Sequence, residues 1–541
     1  MSRRSPIKKV RAHGLVWLGL LVILVLNFCV RWHLREIPLE RDEGEYAYAG
    51  QLILEGVPPY QLAWNMKFPG VYFAYAGLMS IFGQSPVGIH LGLILVTTVS
   101  TLLVFFIGRE LMNPVGGLMA AALFTLLSAL PFAYGMAAHA THFVVLFVCA
   151  GTLSLLKLEN RMPLGLAFIS GMAFGVAILM KQHAFIFAAA ALIWVSWRAS
   201  RLGKNPAQLI AVFVGGVAAP LLLTFALLAL AGVWGRFFHW TIQYAREYVS
   251  IFPLRSVPRQ FAAGFGPVFH SGIWVWLLGV AGFGLVFLRI QYRRAAILGA
   301  GLFLAGLVAA CPGFYFSGHY FLMAMPGLAL LNAVLLLTLA GWLKKVPGTR
   351  LLQFLPACLF CVLAIDLVVR NGSLWFSASS SDAGRRLYGL NPFPESPAIA
   401  GYLAAHTKPN DTIAVLGSEP QIFFLAHRRS ASGYIYVYPL TEPQPLAPAM
   451  RQEFKNEIEA ARPEFVVQVD LLSSWCSAVV PQGTRQVLDD FQKWWADYSK
   501  DYRLVGVVDA AVDKPPEYFW DAQLSSRTNT SPAAISIFRR K

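Results

Sequence analysis

Long apolar segments recur through the first 370 residues of this 541-residue chain and limit the folds that it can adopt. The first runs from Gly14 to Val30 and contains no charged residue. A helix needs about 20 mostly apolar residues to cross a bilayer. Ten further segments of this kind follow, near residues 86–107, 113–133, 142–157, 162–180, 183–198, 207–232, 272–289, 295–311, 320–341 and 350–369. The chain is 57% hydrophobic and 13% charged, so we predict a polytopic α-helical membrane protein with about eleven transmembrane helices.

Basic residues in the loops predict the orientation of these helices. No cleavage site of small residues follows Val30, because Arg31 and Trp32 come next, so we predict an uncleaved first helix. Seventeen lysines and arginines fall on one side of the predicted membrane, and ten fall on the other. The larger set lies in the N-terminal tail and at Arg109, Lys157, Arg161, Arg198, Arg201, Lys204, Arg289, Arg293, Arg294, Lys344, Lys345 and Arg350. The positive-inside rule then predicts a multi-pass inner (plasma) membrane protein with a cytoplasmic N-terminus. Residues 31–75, 233–271 and everything after 370 are predicted outside the cytosol.

The composition changes near residue 371 to that of a water-soluble domain. Residues 371–541 hold 17 Lys/Arg and 18 Asp/Glu, whereas residues 1–370 hold 27 and 10. The basic excess therefore belongs to the membrane part, and we predict no binding of nucleic acid. Apolar runs at 411–417, 464–470, 503–510 and 534–538 predict strands, and amphipathic patterns near 396–406, 419–427, 449–461 and 485–500 predict helices. We predict two domains, a transmembrane domain at 1–370 with an external catalytic loop at 31–83, and an extracytoplasmic α/β domain at 371–541.

Carboxylates are concentrated in one short segment of the membrane part. Six of its ten acidic residues lie within the twenty positions 36–55. A charge in hydrocarbon costs on the order of 3 kcal/mol on insertion scales, so a carboxylate cluster beside a membrane is a candidate site. The alternative is a helix in the loop that only needs to stay hydrated. The apolar segment Pro69 to Gly83 that follows is short for a span and is predicted to lie at the membrane interface.

Asp42 and Glu43 are the central carboxylates of this segment. Neighbours on a helix point about 100° apart, so the two side chains must do different work. Asp42 also suits the N-cap of a helix over 43–55. Further along, Lys67 stands beside Phe68, Pro69 and aromatic residues, and is a candidate for binding an anion. The alternative for Lys67 is a side chain that reaches from the membrane surface into water.

These motifs resemble those of the GT-C glycosyltransferases. More narrowly, the chain resembles the bacterial branch of the protein O-mannosyltransferase family, which includes the lipid A aminoarabinose transferase. The residues that carry the resemblance are Asp42, Glu43, Tyr46, Tyr48, Val57-Pro58-Pro59-Tyr60, Lys67-Phe68-Pro69, His319-Tyr320-Phe321 with Pro326, and Gly417 to Phe424 with Arg428 and Arg429. Two positions depart from the family pattern: Lys-Phe-Pro replaces the frequent Lys-Pro-Pro, and His319 replaces the usual arginine.

The resemblance implies an enzyme that takes a sugar from a polyprenyl phosphate outside the cytosol. Asp42 would be the general base that takes the proton of the acceptor hydroxyl, and Glu43 is the second predicted catalytic carboxylate. Lys67, Lys181 and His319 would bind the donor phosphate, where cations stabilise the charge of the leaving group. The predicted substrate cavity is lined by Tyr46, Tyr48, Tyr60, His139, His142 and Tyr320.

Two features leave alternatives open. His139 and His142 could hold a divalent metal together with Asp42 or Glu43, but we predict no cofactor and interpret them as polar residues at the cavity mouth. The loop 233–271 is rich in basic and aromatic residues, which suit lipid headgroups or a phosphorylated acceptor. Ordinary anchoring at the interface is the alternative for this loop. Its residues of these types are Trp234, Arg236, His239, Trp240, Tyr244, Arg246, Tyr248, Arg255 and Arg259.

The predicted function is a membrane glycosyltransferase. It would move a hexose or pentose, with inversion, from a polyprenyl-phosphate sugar to a hydroxyl of an extracytoplasmic lipid, glycan or protein. One alternative is a transporter or flippase for a lipid-linked glycan, which would carry charges near the middle of its spans. The other alternative is a non-catalytic assembly protein that keeps the fold, which loss of the Asp-Glu pair or of Lys67 would have favoured.

Overall fold

The computed structural model describes residues 6–158, 163–201, 206–288, 290–347, 351–475, 484–511, 514–528 and 534–541. The described residues do not include six basic residues that contribute to the predicted orientation, namely Arg3, Arg4, Arg161, Lys204, Arg289 and Arg350. The helices are α1 (Pro6–His33), α2 (Arg41–Leu54), α3 (Gly70–Phe82), α4 (Pro86–Leu111), α5 (Pro114–Leu127), α6 (Ala140–Lys157), α7 (Leu164–Met180), α8 (Phe185–Arg201), α9 (Pro206–Leu230), α10 (Trp234–Phe238), α11 (Ala245–Tyr248), α12 (Val257–His270), α13 (Ile273–Gly284), α14 (Arg293–Ala309), α15 (Met325–Leu343), α16 (Leu355–Gly372), α17 (Ser380–Tyr388), α18 (Ser396–Ala405), α19 (Gln421–Ala426), α20 (Tyr438–Thr441), α21 (Ala447–Ala461), α22 (Leu472–Trp475) and α23 (Thr484–Tyr498).

Shorter helical turns and six strands complete the described secondary structure. The 3₁₀ turns are Pro131–Ala133, Gln182–Ala184, Leu254–Ser256, Leu285–Phe287, Pro312–Phe314, Gly318–Ala324, Leu352–Phe354, Ser499–Asp501 and Asp521–Ser526, and the π turns are His239–Tyr244 and Ser373–Ser377. The strands are β1 (Thr412–Leu416), β2 (Arg429–Ser430), β3 (Phe465–Val469), β4 (Tyr502–Asp509), β5 (Glu517–Trp520) and β6 (Ile535–Arg540).

The chain divides into two compact units, each formed by three separate segments. The first unit, which we call the helical unit, contains Met1–Arg35, His90–Thr224 and Leu254–Ala378. The second, which we call the sheet unit, contains Glu36–Ile89, Phe225–Pro253 and Ser379–Lys541. The loops at 36–89 and 225–253 thus cluster with the C-terminal residues. The predicted division at residue 370 assigned both loops to the transmembrane domain.

Apolar helices of membrane-spanning length confirm a multi-pass membrane protein. Seven helices of the described residues are long and apolar enough to cross a bilayer, or eight if the pair Leu254–His270 and Ile273–Phe287, bent by 103°, is one span. Gly70–Phe82, Pro114–Leu127 and Leu164–Met180 are shorter apolar helices. Each of the eleven predicted segments contains a helix, so the positions agree with the prediction. Fewer helices than predicted reach full spanning length, because α5, α7, α13 and α14 have only 14, 17, 12 and 17 residues.

Small residues and one buried asparagine fix the packing in the helical unit. A Cβ atom on Gly171 of α7 would lie 2.2 Å from the carbonyl oxygen of Phe213 in α9, so the two helices meet backbone to backbone. Asn332 of the buried helix α15 donates from Nδ2 to the carbonyl oxygens of Val275 at 3.0 Å and Leu328 at 2.9 Å. These contacts join α13 to α15 in the interior.

A mixed six-stranded sheet organises the C-terminal part of the sheet unit. The strand order is β2-β1-β3-β6-β4-β5. β1 pairs in parallel with β2 and β3, with Ile413 opposite Phe465, and the other pairs are antiparallel. The predicted strands correspond to β1, β3, β4 and β6, which confirms an α/β domain. In the parallel part of the sheet, the loop after β1 leads from the carboxyl end of that strand into α19.

Candidate active site

The acidic segment begins helix α2, and two glutamates close its first turn. Glu40 precedes the helix with an extended backbone, and its Oε1 accepts a hydrogen bond from the Glu43 N–H at 2.8 Å. Glu43 Oε2 accepts from the Glu40 N–H at 3.3 Å. This reciprocal pair satisfies backbone donors that a helix start leaves unpaired. Glu40 is therefore the N-cap and not Asp42, and the carboxylate of Glu43 is buried within the cap.

Asp42 and Glu45 share one face of α2 because they are three residues apart. The ammonium of Lys67 lies between them, with Nζ 2.7 Å from Asp42 Oδ1 and 2.5 Å from Glu45 Oε2. The side chain of Asp42 is 23% exposed, that of Lys67 15%, and that of Glu45 1%. Asp42 is therefore the carboxylate of this trio that a ligand from solvent can reach most easily.

Two further side chains hold the buried carboxylate of Glu45. The Tyr72 hydroxyl donates to Glu45 Oε1 at 2.5 Å, and Asn65 Nδ2 donates to Glu45 Oε2 at 2.8 Å. With Lys67, these donors satisfy a charge that would otherwise cost several kcal/mol to bury. Tyr72 comes from α3, so the apolar helix predicted at the membrane interface packs against α2 and completes the cluster.

A tyrosine of the C-terminal part reaches the more exposed carboxylate. The Tyr436 hydroxyl donates to Asp42 Oδ1 at 3.1 Å. The rings of Tyr46 and Tyr436 lie 4.7 Å and 5.6 Å from Lys67 Nζ, within the range of a cation–π interaction. Asp42 is thus positioned by groups from two segments that are far apart in the sequence.

The charges of the trio support one another. Burial alone would lower the pKa of Lys67, but the adjacent carboxylates of Asp42 and Glu45 raise it above its ordinary value. Burial raises the pKa of Glu45, and the ammonium of Lys67 opposes that rise. Lys67 therefore stays protonated at neutral pH and keeps two nearby carboxylates together in one small site.

Arg41 fixes the start of α2 against the loop after β1. Its Nε donates to the carbonyl oxygen of Ser418 at 2.5 Å, and its Nη2 donates to Glu419 Oε1 at 3.2 Å and Asn391 Oδ1 at 3.3 Å. Ser474 Oγ donates to the other carboxylate oxygen of Glu419 at 2.6 Å. Since Asp42 follows Arg41 directly, this network sets the direction in which Asp42 points.

Two tyrosines predicted to line the substrate cavity are fully buried in supporting positions. The Tyr48 hydroxyl accepts from the N–H of Ser430, in the edge strand β2, at 2.9 Å. The Tyr60 hydroxyl donates to the carbonyl oxygen of Lys67 at 2.7 Å, and Tyr60 has a left-handed backbone with φ of 67°. Tyr60 therefore shapes the loop that carries Lys67, and Tyr48 attaches α2 to the sheet.

The helical unit brings four other predicted residues together. The rings of His139 and His319 stack at 4.0 Å, and Tyr134 meets both edge-on. Tyr320 meets His319 edge-on at 4.6 Å, and Lys181 Nζ lies 4.3 Å from the Tyr320 ring. Lys181, His139, His319 and Tyr320 thus form one basic and aromatic cluster, and their predicted roles at the donor phosphate and the substrate cavity stay predictions.

His142 occupies a different position from His139 in the helical unit. It is buried, and its Nε2 has no hydrogen-bond partner within the described residues. The predictions that His142 lines the substrate cavity and that it could share a metal with His139 remain untested.

Residues 234–248 pack within the sheet unit. Arg236 pairs with Glu453 at 2.8 Å, and its guanidinium lies 4.0 Å from the Trp64 ring. The buried Tyr244 hydroxyl donates to Glu442 Oε2 at 2.6 Å. Arg236 and Tyr244, two of the residues predicted to contact headgroups or an acceptor, therefore have partners within the protein.

The sequence interpretation assigned no role at the site to Glu45, Asn65 or Tyr436, and it placed Tyr72 only at the membrane interface. Glu45 could have been found, because its spacing of three from Asp42 places both on one helical face. Asn65 is two residues from Lys67, which is a weaker signal. Tyr436 has no local signal, since only the tertiary fold brings it to Asp42.

Comparison with known proteins gives the fold and a family match. Residues 66–224 match the model of the dolichyl-phosphate-mannose-protein mannosyltransferase family. No curated protein matches the sequence. Among solved structures, ArnT from Cupriavidus metallidurans bound to undecaprenyl phosphate is 16% identical, with a TM-score of 0.55 over 87% of this chain and 97% of that one. The archaeal oligosaccharyltransferase AglB from Archaeoglobus fulgidus, in complex with an inhibitory peptide and a dolichol-phosphate, is 12% identical, with a TM-score of 0.54 over 95% and 74%. The arabinofuranosyltransferase AftD from Mycobacteria is 14% identical, with a TM-score of 0.50 over 97% and 40%.

These similarities confirm the resemblance stated from the sequence. The protein has the fold of the GT-C glycosyltransferases, with a helical membrane part and a C-terminal sheet. At these identities the solved structures establish the fold alone, because one fold can carry different activities. The activity must be argued from the residues of the site.

Proposed function

We propose that this protein is a membrane glycosyltransferase that uses a polyprenyl-phosphate sugar as donor. The observation that carries the proposal is the ion-paired trio of Asp42, Lys67 and Glu45 at the start of α2, in a chain with the GT-C fold and a mannosyltransferase family match over 66–224. A carboxylate held beside a protonated lysine supplies both a proton acceptor and a phosphate-binding cation.

Asp42 is the general base in this proposal. A sugar hydroxyl is a poor nucleophile until a group within hydrogen-bond reach takes its proton. The partial exposure of Asp42 allows an acceptor hydroxyl to approach, while Tyr436 and Lys67 hold its Oδ1. Glu45 is buried and fully engaged, so its role is to position Lys67. Glu43 was the second predicted catalytic carboxylate, and its place in the helix cap favours a structural role.

The cations bind the donor phosphate. The ammonium of Lys67 has three N–H groups, and two of them face Asp42 and Glu45. The third can donate to a phosphate oxygen and stabilise the charge that grows as the anomeric C–O bond breaks. Lys181 and His319 are proposed as further phosphate ligands. Neutral imidazole holds an anion less firmly than the guanidinium found at this position in the family pattern, so the contribution of His319 should be the smaller one.

The stereochemistry, the acceptor and the cofactor requirement complete the proposed reaction. If the acceptor oxygen attacks from the face opposite the phosphate, the sugar is transferred with inversion. The acceptor is a hydroxyl of a lipid, glycan or protein on the extracytoplasmic side of the membrane. The proposal includes no cofactor, so a chelator of divalent metals should leave the rate unchanged.

The test uses the full chain purified in detergent, a radiolabelled polyprenyl-phosphate sugar and a crude envelope extract as the source of acceptors. Loss of label from the lipid is followed for wild type, Asp42→Asn and Glu55→Gln. Glu55 is the matched control, because it lies at the other end of α2 in an exposed pair with Arg429. General base catalysis contributes roughly 100-fold to 10,000-fold, so Asp42→Asn should lose at least about 100-fold in rate and Glu55→Gln should keep the wild-type rate.

Two results would contradict the proposal, one for the role of Asp42 and one for the transferase activity. Equal rates for wild type and Asp42→Asn would retain a transferase and exclude Asp42 as its base. Binding of the lipid phosphate without any transfer, across hexose and pentose donors, would overturn the proposed enzyme and favour a transporter or an assembly protein.

A further inference from the structure

An open apolar cavity lies between four helices of the helical unit. It has a volume of about 310 Å³ and is lined by side chains of α6, α7, α8 and α14. Phe174 and Phe187 form its buried wall, while Ile193 and Gly301 at its rim are exposed. These helices belong to the membrane part, so the cavity opens sideways toward lipid and not toward water. Hydrocarbon is the material that such a cavity can bind.

Two arginines continue the lining of this cavity at one end. Arg201 follows the lining residue Trp197 by one helical turn, and its guanidinium lies 5.7 Å from the Trp197 ring. On α14, Arg294 precedes the lining residues Ile297 and Leu298 by three and four positions, and therefore lies on the same face. Arg201 and Arg294 are both exposed.

The Lys and Arg residues of the four lining helices have no acidic neighbour within those helices. Helices α6, α7, α8 and α14 contain no aspartate or glutamate in their sequences. Arg198 and Arg293 add two more cations beside Arg201 and Arg294. Basic pockets between membrane helices bind anionic headgroups, with about 1 kcal/mol per lysine or arginine.

We propose that this cavity binds a diacyl phospholipid with an anionic headgroup. One acyl chain occupies the apolar cavity, and the headgroup phosphate is held by Arg201 and Arg294. The orientation predicted from the basic loops places this end in the cytosolic leaflet, where anionic phospholipids are supplied by the membrane itself. The occupant is thus a lipid that supports the packing of α8 and α14, and the proposal does not depend on the proposed transferase activity.

The test is lipid binding by native mass spectrometry on the delipidated full-length protein, with thermal stability as a second readout. Phosphatidylglycerol should bind and raise the melting temperature, whereas phosphatidylcholine and inorganic phosphate should do so far less. Arg201→Ala and Arg294→Ala should each lower the affinity for phosphatidylglycerol about fivefold. Arg109→Ala is the matched control, because Arg109 lies in the last turn of α4 and its guanidinium lies over Phe106.

A second pair of variants tests the apolar part. A Cβ on Gly301 meets no atom within 4 Å, so the Gly301→Leu variant should fold. Its leucine side chain should fill the cavity and thereby weaken the binding of phosphatidylglycerol. Gly215→Leu in α9 is its control, because a Cβ there also meets nothing within 4 Å and Gly215 does not line the cavity.

Four results would overturn the proposal. They are equal binding of phosphatidylcholine, unchanged binding of phosphatidylglycerol in a variant that combines Arg201→Ala with Arg294→Ala, stabilisation by inorganic phosphate alone, and displacement of phosphatidylglycerol by undecaprenyl phosphate. The last result would assign the cavity to a polyprenyl lipid.

Discussion

At the scale of single residues, the site depends on how two carboxylates of one helical face divide their work. Glu45 is almost completely buried and receives hydrogen bonds from Tyr72, Asn65 and Lys67. Asp42 keeps a partly exposed side chain. A buried carboxylate with several donors is a fixed structural charge, while a partly exposed one can exchange its partner for a substrate. The difference in burial is the physical reason to assign proton transfer to Asp42.

Tyr436→Phe tests whether the C-terminal part positions this carboxylate. The substitution keeps the ring beside Lys67 and removes the hydroxyl that donates to Asp42 Oδ1 at 3.1 Å. A hydrogen bond to a charged group contributes about 1.5–3 kcal/mol, so kcat should fall roughly 10-fold to 150-fold with little change in melting temperature. Initial rates and the pH profile of kcat are the measurements, since loss of a donor to Asp42 should also displace the acidic limb of the profile.

Tyr438→Phe is the control for this prediction. Its hydroxyl donates to the carbonyl oxygen of Ser473 at 2.7 Å, and Ser473 is not a member of the carboxylate trio. Equal loss of rate in both variants would show a general effect of removing a hydroxyl, and would remove Tyr436 from the positioning of Asp42.

At the scale of elements, helix α2 makes the catalytic assignment of Glu43 testable. In a capping box, glutamine can replace glutamate as the side chain that returns to the N-cap backbone. Glu43→Gln should therefore keep both stability and rate, whereas Glu43→Ala should lower the free energy of unfolding by about 1 kcal/mol. Rates and thermal unfolding of both variants give the answer. A large loss of rate in stable Glu43→Gln would restore Glu43 as a catalytic residue.

The contact between α10–α11 and the C-terminal part predicts a pH dependence. Burial raises the pKa of Glu442 from 4.5 to about 7, against the opposing hydrogen bond from Tyr244. Because folding raises the pKa of Glu442, its contribution to the free energy of unfolding is complete below pH 4.5 and is lost as the pH rises through 7. Relative to Glu442→Gln, the free energy of unfolding of the wild type should fall by up to about 3 kcal/mol between pH 4.5 and pH 8.5. Unfolding by denaturant across this range measures the difference.

Glu453 gives the matched control for that pH dependence. Its hydrogen bonds from Arg236 and Tyr434 outweigh partial burial and lower its pKa. The contribution of Glu453 to the free energy of unfolding is therefore complete above the ordinary pKa of this carboxyl and should not change between pH 6 and pH 8.5. If the free energies of unfolding of wild type and Glu442→Gln differ by a constant amount between pH 6 and pH 8.5, the predicted titration of Glu442 is wrong.

The elements that the sequence predicted are those with a repeating local pattern. The long apolar helices and strands β1, β3, β4 and β6 show the expected periodicity over five or more residues. Strand β2 has two residues and exists because Thr412 and Ile413 pair with Arg429 and Ser430. Helix α17 and strand β5 were also missed. Elements this short or this polar are stabilised by tertiary partners, so their own residues carry little signal.

At the scale of the whole molecule, the sequence showed where composition changes but not which segments cluster. The change near residue 371 marks the end of the last apolar helix. The C-terminal segment of the sheet unit begins at Ser379, but the unit also contains residues 36–89 and 225–253. Such clustering depends on contacts over hundreds of residues, for example Arg41 with Glu419 and Tyr244 with Glu442. Composition cannot report these contacts, and the same limit explains why Tyr436 was not predicted at the site.

Because residues 36–89 cluster with the C-terminal part in the sheet unit, we predict that these two segments unfold together. A Cβ on Gly44 of α2 would lie 2.6 Å from the backbone nitrogen of Gln421 in α19, so Gly44→Ala must push the two helices apart. Overpacking of this kind costs about 1–3 kcal/mol. Hydrogen exchange of the full chain should then speed up in α2 and equally in α19 and β1, because a cooperative unit opens as a whole. Gly401→Ala is the control, since its Cβ meets nothing within 4 Å and alanine favours a helix by up to about 1 kcal/mol. Faster exchange confined to α2, with α19 and β1 unchanged, would show that residues 36–89 open independently of the C-terminal part.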